Sequence, residues 1–152
     1  MRMQSSFQDQ GSVANCFGCG ADNPSGLQLK SFWDGEEAIA RFTPQKYHCG
    51  GTQSVVYGGL IASLMDCHAC NFAIAHQYRM EDRDVGTDPK ILCVTAQLNI
   101  TLMKPAPMAE LLLRARLKSI DGRKIWIDCE LSVDSRLCAR GDILVVRLQE
   151  NK

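Results

Sequence analysis

Asp66 is the residue of this chain that most needs a reason to be where it is. It stands inside VVYGGLIASLMDCHACNFAIAHQ, a run of small and apolar residues from Val55 to Gln77. A carboxylate in such a setting costs free energy unless it is paired or has a task. Gly58 and Gly59 fall where the helical pattern of this run begins. The first turn of a helix presents unpaired N–H groups and a partial positive charge, suited to the oxyanion of a tetrahedral intermediate. Glycine there lets a substrate come close to the backbone. Gly58 and Asp66 are about two turns apart, roughly 12 Å at 1.5 Å per residue. One chain can hardly bring both to the same carbonyl, whereas two helices paired head to tail can. The plainer readings are a structural ion pair for Asp66 and close helix packing for the glycines.

Other chemistry-bearing residues gather nearby. His68 lies about 200° round the helix from Asp66, so the two cannot share a site within one chain, and it reads as a core or interface histidine. His48 sits in the loop QKYHCGGTQS before the helix, where it could approach a ligand. There are eight cysteines. Cys16-Phe-Gly-Cys19 has the spacing of a metal knuckle, which needs two more ligands. Cys49 with His48, or Cys67, His68 and Cys70 on the helix, are the residues that could supply them. No second C-x-x-C pair with ribbon spacing accompanies it, so loop cysteines without metal are the preferred reading. The N-terminal sequence lacks the apolar core of a signal peptide, and the expectation is reduced thiols in a cytoplasmic protein.

Composition narrows the partners. Seventeen basic residues balance seventeen acidic ones, and no basic run exceeds two residues. That argues against a nucleic-acid binder, which needs a cationic surplus to neutralise phosphates. The apolar-rich stretch from Leu60 to Ala75 is interrupted by Asp66, His68 and Asn71, so no membrane span is expected. A length of 152 residues suits one domain.

The elements that must position these groups follow from periodicity. Residues 1–13 read as a polar leader and 14–152 as a single domain, opened by the loop ANCFGCGADNPSGL. Strands are expected from Leu27 to Trp33 and Glu37 to Phe42, joined at Asp34-Gly35. The helix runs from about Val56 to Gln77 and should be buried on several sides. In the next strand Val94, Ala96, Leu98, Ile100 and Leu102 alternate with polar residues, predicting one buried face. Leu111, Leu113, Ala115 and Leu117 alternate likewise, then Ile125, Ile127, Cys129, Leu131 and Val133. A last strand covers about Leu137 to Leu148. The order β-β-α-β-β-β-β implies an α+β fold, an antiparallel sheet of about six strands wrapped around one long central helix.

Three stretches, in this order, resemble the hotdog-fold thioesterase superfamily of the PaaI and 4-hydroxybenzoyl-CoA thioesterase type: CFGCGADNPSGLQL (16–29), VVYGGLIASLMD (55–66) and VTAQLNITLMKPAP (94–107). The resemblance implies the hotdog fold and hydrolysis of an acyl-CoA thioester with a small or medium acyl group, aromatic ones included. It makes Asp66 the nucleophile or general base, and Gly58 the donor whose N–H polarises the carbonyl. Thr95 matches a residue that helps hold the attacking water. Tyr57 and Gly59 fall at the ligand, with Gln53 near, though out of register with, an amide donor. It implies no cofactor and no metal. It also implies a homodimer, or a dimer of dimers, with sites at the interface. Tyr57 replaces the usual His, and Cys67 stands where an acidic residue often follows the catalytic one. The alternatives are a non-catalytic acyl-CoA or small-ligand binder on the same fold, or a hydratase, whose histidine pattern neither His48 nor His68 matches.

Overall fold

The computed structural model describes residues 3–11 and 13–149. Six strands form one antiparallel sheet in the order β1-β2-β4-β5-β6-β3. They are β1 (Ser31–Asp34), β2 (Glu37–Phe42), β3 (Cys93–Leu102), β4 (Leu111–Asp121), β5 (Lys124–Val133) and β6 (Arg136–Arg147). The sheet curls around one long helix, α2 (Gly58–Met80), and a short helix, α1 (Phe7–Gln10), closes one side. This is the sheet around one helix that the order of elements implied, and the hotdog architecture that the resemblance implied.

The core is the space between α2 and the concave face of the sheet. Regular alternation decides which strand residues fill it. Ile125, Ile127, Cys129, Leu131 and Val133 all point inward from β5 and are buried, as are Leu111, Leu113 and Ala115 of β4. From α2 come Leu60, Ile61, Leu64, Met65, Ala69, Phe72 and Ala73. At 23 residues, with an 18-residue stretch of mean hydropathy 1.2, α2 is long and apolar enough to cross a bilayer. Here the sheet wraps it instead, and its apolar side chains are the core of the fold.

Two sequence expectations are changed by the structure. The first concerns β3. Cys93 and Ile100 both pack against the core, yet strict alternation would put them on opposite faces. The register shifts between Thr95 and Gln97 where β3 pairs with β6, so a bulge at Ala96 reverses the parity. β3 is also an edge strand, and Val94, Leu98 and Leu102 are 45%, 43% and 54% exposed. The expected single buried face is therefore absent from the isolated chain.

The second concerns the polar N-terminal stretch. Within it Phe7 and Gln8 are buried. Phe7 stacks edge-on against Trp33, which meets Phe72 of α2 the same way. The Gln8 amide donates to Ser31 Oγ (3.0 Å), and the Ser31 N–H donates to Gln8 Oε1 (2.7 Å). Ser6 caps α1 by accepting from the Asp9 N–H (3.1 Å), the usual way to satisfy a helix-end donor.

Candidate active site

The N-terminus of α2 is prepared by the loop before it. A short 3-10 turn, Lys46–His48, leads to an antiparallel bridge between Cys49 and Val56. The Tyr57 N–H then donates to His48 O (2.9 Å), and Tyr57 O accepts from Leu60 and Ile61 N–H (3.1 and 3.2 Å). Tyr57 is thus the N-cap. Among the described residues, none accepts a hydrogen bond from the N–H of Gly58 or Gly59, as expected for the first turn of a helix. The Tyr57 ring lies over Gly59: a Cβ there would be 2.4 Å from Tyr57 Cε1. No other residue type would permit that packing.

This helix end opens onto a cavity of about 740 Å³. Its walls include Tyr57, Gly59, Leu60 and Ser63 from the helix and His48 and Phe42 from the loop and β2, with Phe17 and Leu27 opposite. His48 accepts at Nδ1 from the Gln45 N–H (2.9 Å), and partial burial lowers its pKa. It is a neutral wall residue rather than a cationic one. Gln53 is exposed in the turn before the helix and does not line this cavity.

Asp66 and Thr95 lie elsewhere. They share a second cavity, of about 310 Å³, with Cys16, Cys19, Cys67, Cys70, Asn71, Cys93 and Val94. Asp66 is half-buried. Among the described residues none donates a hydrogen bond to its carboxylate or forms an ion pair with it. The charge at the centre of the apolar helix is therefore not explained by a structural partner in its own chain. Thr95 stands just before the bulge of β3, which fixes the direction of its side chain. The structure thus groups six of the seven sequence-picked residues into two sets and leaves Gln53 outside both. Tyr57, Gly59 and His48 line one cavity, beside Gly58. Asp66 and Thr95 line the other.

His68 belongs to neither. It is fully buried and bonded at both ring nitrogens: Nε2–H donates to Ala38 O (3.1 Å), and the Ser31 hydroxyl donates to Nδ1 (2.8 Å). Burial pushes its pKa down to about 4, so it is neutral. Of the options the sequence left open for the Cys16–Cys19 pair, the structure brings Cys67 to it, beside Asp66. Cys16, Cys19 and Cys67 converge, with Cys16 Sγ 3.7 Å from Cys67 Sγ. The hydrogen bond offered by Cys67 holds the buried Cys19 thiol well below the usual range. The sequence could not choose among those options, since Cys67 comes from a distant part of the chain.

Residues 53–139 match the thioesterase superfamily. The chain belongs to the thioesterase superfamily. A thioesterase superfamily protein from Shewanella loihica is 40% identical, with a TM-score of 0.63 over 80% of this chain and 91% of that one. The acyl-coenzyme A thioesterase THEM4 of Mus musculus is 30% identical over 69% of this chain. The chain spans less than half of that relative's length, 41%. A Bacillus halodurans protein solved with CoA has the same fold, with a TM-score of 0.63 at 19% identity over 82% of this chain and 77% of that one. The matched region begins just ahead of α2 and includes both Gly58 and Asp66.

Proposed function

We propose that this thioesterase-superfamily chain hydrolyses acyl-CoA thioesters with small or medium acyl groups, at sites completed by a second copy of the chain. The observation that carries this is the unpaired, half-buried carboxylate of Asp66, which faces a cavity on a helix otherwise given over to the core. Membership of the superfamily, likeness to an acyl-coenzyme A thioesterase and a fold shared with a protein solved with CoA support the substrate class.

In this reading the substrate carbonyl points its oxygen at the Gly58 N–H, where the helix terminus stabilises the developing negative charge. Asp66 of the facing subunit draws a proton from water, which Thr95 helps to hold, and the water adds to the carbonyl carbon. The tetrahedral intermediate collapses with loss of the CoA thiolate. In the alternative course Asp66 attacks directly, and water hydrolyses the mixed anhydride. The cavity beside Tyr57 and His48 supplies room for the substrate. No cofactor is required by either course. The eight free cysteines fit a reducing, cytoplasmic setting.

The second copy is argued from two features. The proposed oxyanion donor lies beside one cavity of the chain, and the carboxylate, about two helical turns on, lines another. The free edge of β3 carries exposed Val94, Leu98 and Leu102, an edge that invites strand pairing. Pairing β3 with its copy about a two-fold axis joins two six-stranded sheets and sets the two α2 helices side by side.

A non-catalytic acyl-CoA binder has one observation in its favour: the Tyr57 ring covers Gly59 at the helix terminus. Loss of thioester absorbance over a panel of short, long and aromatic acyl-CoAs separates the two. Direct absorbance avoids a thiol dye, which eight cysteines would consume. Turnover of at least one substrate, lost by about a hundredfold or more in Asp66→Asn, is expected for an acid–base or nucleophilic role. Binding of CoA esters with no turnover would replace the enzyme by the binder.

A further inference from the structure

Three cysteines that neither the catalytic reading nor the fold requires meet at one point. The Sγ atoms of Cys16, Cys19 and Cys67 all lie within 4.8 Å of one another. The Cys16–Cys67 separation is 3.7 Å, close to the roughly 3.8 Å edge of a tetrahedron with metal–sulfur bonds of about 2.3 Å. It is far beyond the length of a disulfide bond, about 2.05 Å.

The surroundings hold this arrangement. Cys16 and Cys19 sit on a tight loop closed by the Gly20 N–H donating to Cys16 O (2.8 Å). Cys67 comes from the rigid helix α2. Gly18, between the two loop cysteines, lies directly against it: a Cβ on Gly18 would be 2.2 Å from Cys67 Sγ. The glycine is therefore what lets the loop close over the third thiol. The Asn71 amide donates to Cys19 Sγ (3.4 Å) and to Cys67 O (2.8 Å). That places an outer-shell N–H on a sulfur, the kind of support that orients metal ligands. The remaining side of the cluster opens onto the cavity of about 310 Å³ shared with Asp66. His68, one residue on, is turned away and fully bonded.

We propose that Cys16, Cys19 and Cys67 form a three-thiolate site for a soft d10 cation, with zinc as the ion that fits, and with its fourth position facing the Asp66 cavity. Soft thiolate ligands select zinc over the hard cations that prefer oxygen. Binding releases the protons of the ligating thiols and ties the loop to the helix, so the bound ion stabilises the fold by mass action.

The test uses the full chain, reduced and handled without oxygen, titrated with Co²⁺ as the spectroscopic probe. The expected result is a thiolate-to-cobalt charge-transfer band that saturates at one equivalent per chain and is displaced by Zn²⁺. Cys67→Ser and Cys16→Ser should each weaken binding by on the order of a hundredfold, while Cys49→Ser leaves it unchanged. Circular dichroism of each apo variant checks that it is folded. Absence of the band, or a band that survives in folded Cys67→Ser at full affinity, overturns the site. So does a band lost in Cys49→Ser, which would put the metal in the loop before α2. A purified chain two hydrogens lighter, with Cys16 linked to Cys19 or Cys67 and no cobalt uptake after reduction, assigns the cluster to disulfide chemistry instead.

Discussion

Gly58 is the residue at which the proposed chemistry can be tested with least disturbance to the fold. It occupies the first position of α2, directly after the N-cap. Proline is well tolerated there, because the N–H it removes has no partner within the helix. Tyr57, at φ −59° and ψ 128°, already has the extended backbone that a residue before proline adopts. A Cβ on Gly58 would meet Leu102 Cδ1 at 2.8 Å, the flexible end of a side chain that can swing aside. Gly58→Pro should therefore fold with a Tm close to wild type while losing the oxyanion donor. Steady-state kinetics should show kcat down by about a hundredfold or more with KM little changed; an unchanged kcat would take Gly58 out of the mechanism. Asp66 and Gly58 stand out in the sequence because a carboxylate and a glycine pair are conspicuous in an otherwise apolar helix. Their separation along α2 could be anticipated only from helix rise. Cys67 was legible only as one of several options, since its neighbours Cys16 and Cys19 arrive through tertiary structure.

The elements carry a second test through His68, which fastens α2 to the first hairpin. Its ring bridges Ala38 of β2 and Ser31 of β1, and Ser31 is held in turn by Gln8 of α1. Because burial pushes its pKa down to about 4, the folded chain keeps His68 neutral where the unfolded chain would protonate it. Between its unfolded value, about 6.5, and the folded one, the unfolded state binds more protons. The stability from this group is thus complete above pH 6.5 and is lost as pH falls towards 4. Urea unfolding should show a loss on the order of 3 kcal/mol over that window. His48 and His76, whose pKa values burial also lowers, remain in any variant at position 68. In His68→Gln the slope between pH 6.5 and 4.5 should flatten accordingly, and an unaltered slope would refute the assignment. The elements themselves were readable to different degrees, for physical reasons. β5 alternates without interruption, so its five inward residues could be named from sequence. β3 alternates just as well on paper, but the bulge at Ala96 reverses its parity, and its place at the edge leaves apolar residues exposed. Neither feature has a local sequence signal. α1 is too short for a period to be seen, and its burial depends on Trp33 and Ser31 across the fold.

At the scale of the whole molecule, the isolated chain offers no single place where the groups of the proposed mechanism meet. The first residue of α2 lies beside one cavity while the carboxylate in its middle lines another, and the apolar edge of β3 is unpaired. A head-to-tail dimer resolves both at once, because each site then takes Gly58 from one copy and Asp66 from the other. This makes a prediction that a site within one chain cannot share. Gly58→Pro and Asp66→Asn each disable every site in their own homodimers. A mixed dimer contains one site with both defects and one with neither. If subunits combine at random, half the dimers are mixed and half their sites are intact, so activity should recover to about a quarter of wild type. Co-expression with two different tags and tandem purification would enrich the mixed dimer and bring the figure to about half. Should verified mixed dimers remain as inactive as either parent, Gly58 and Asp66 would have to act within one chain, and the division of the site between subunits would be abandoned.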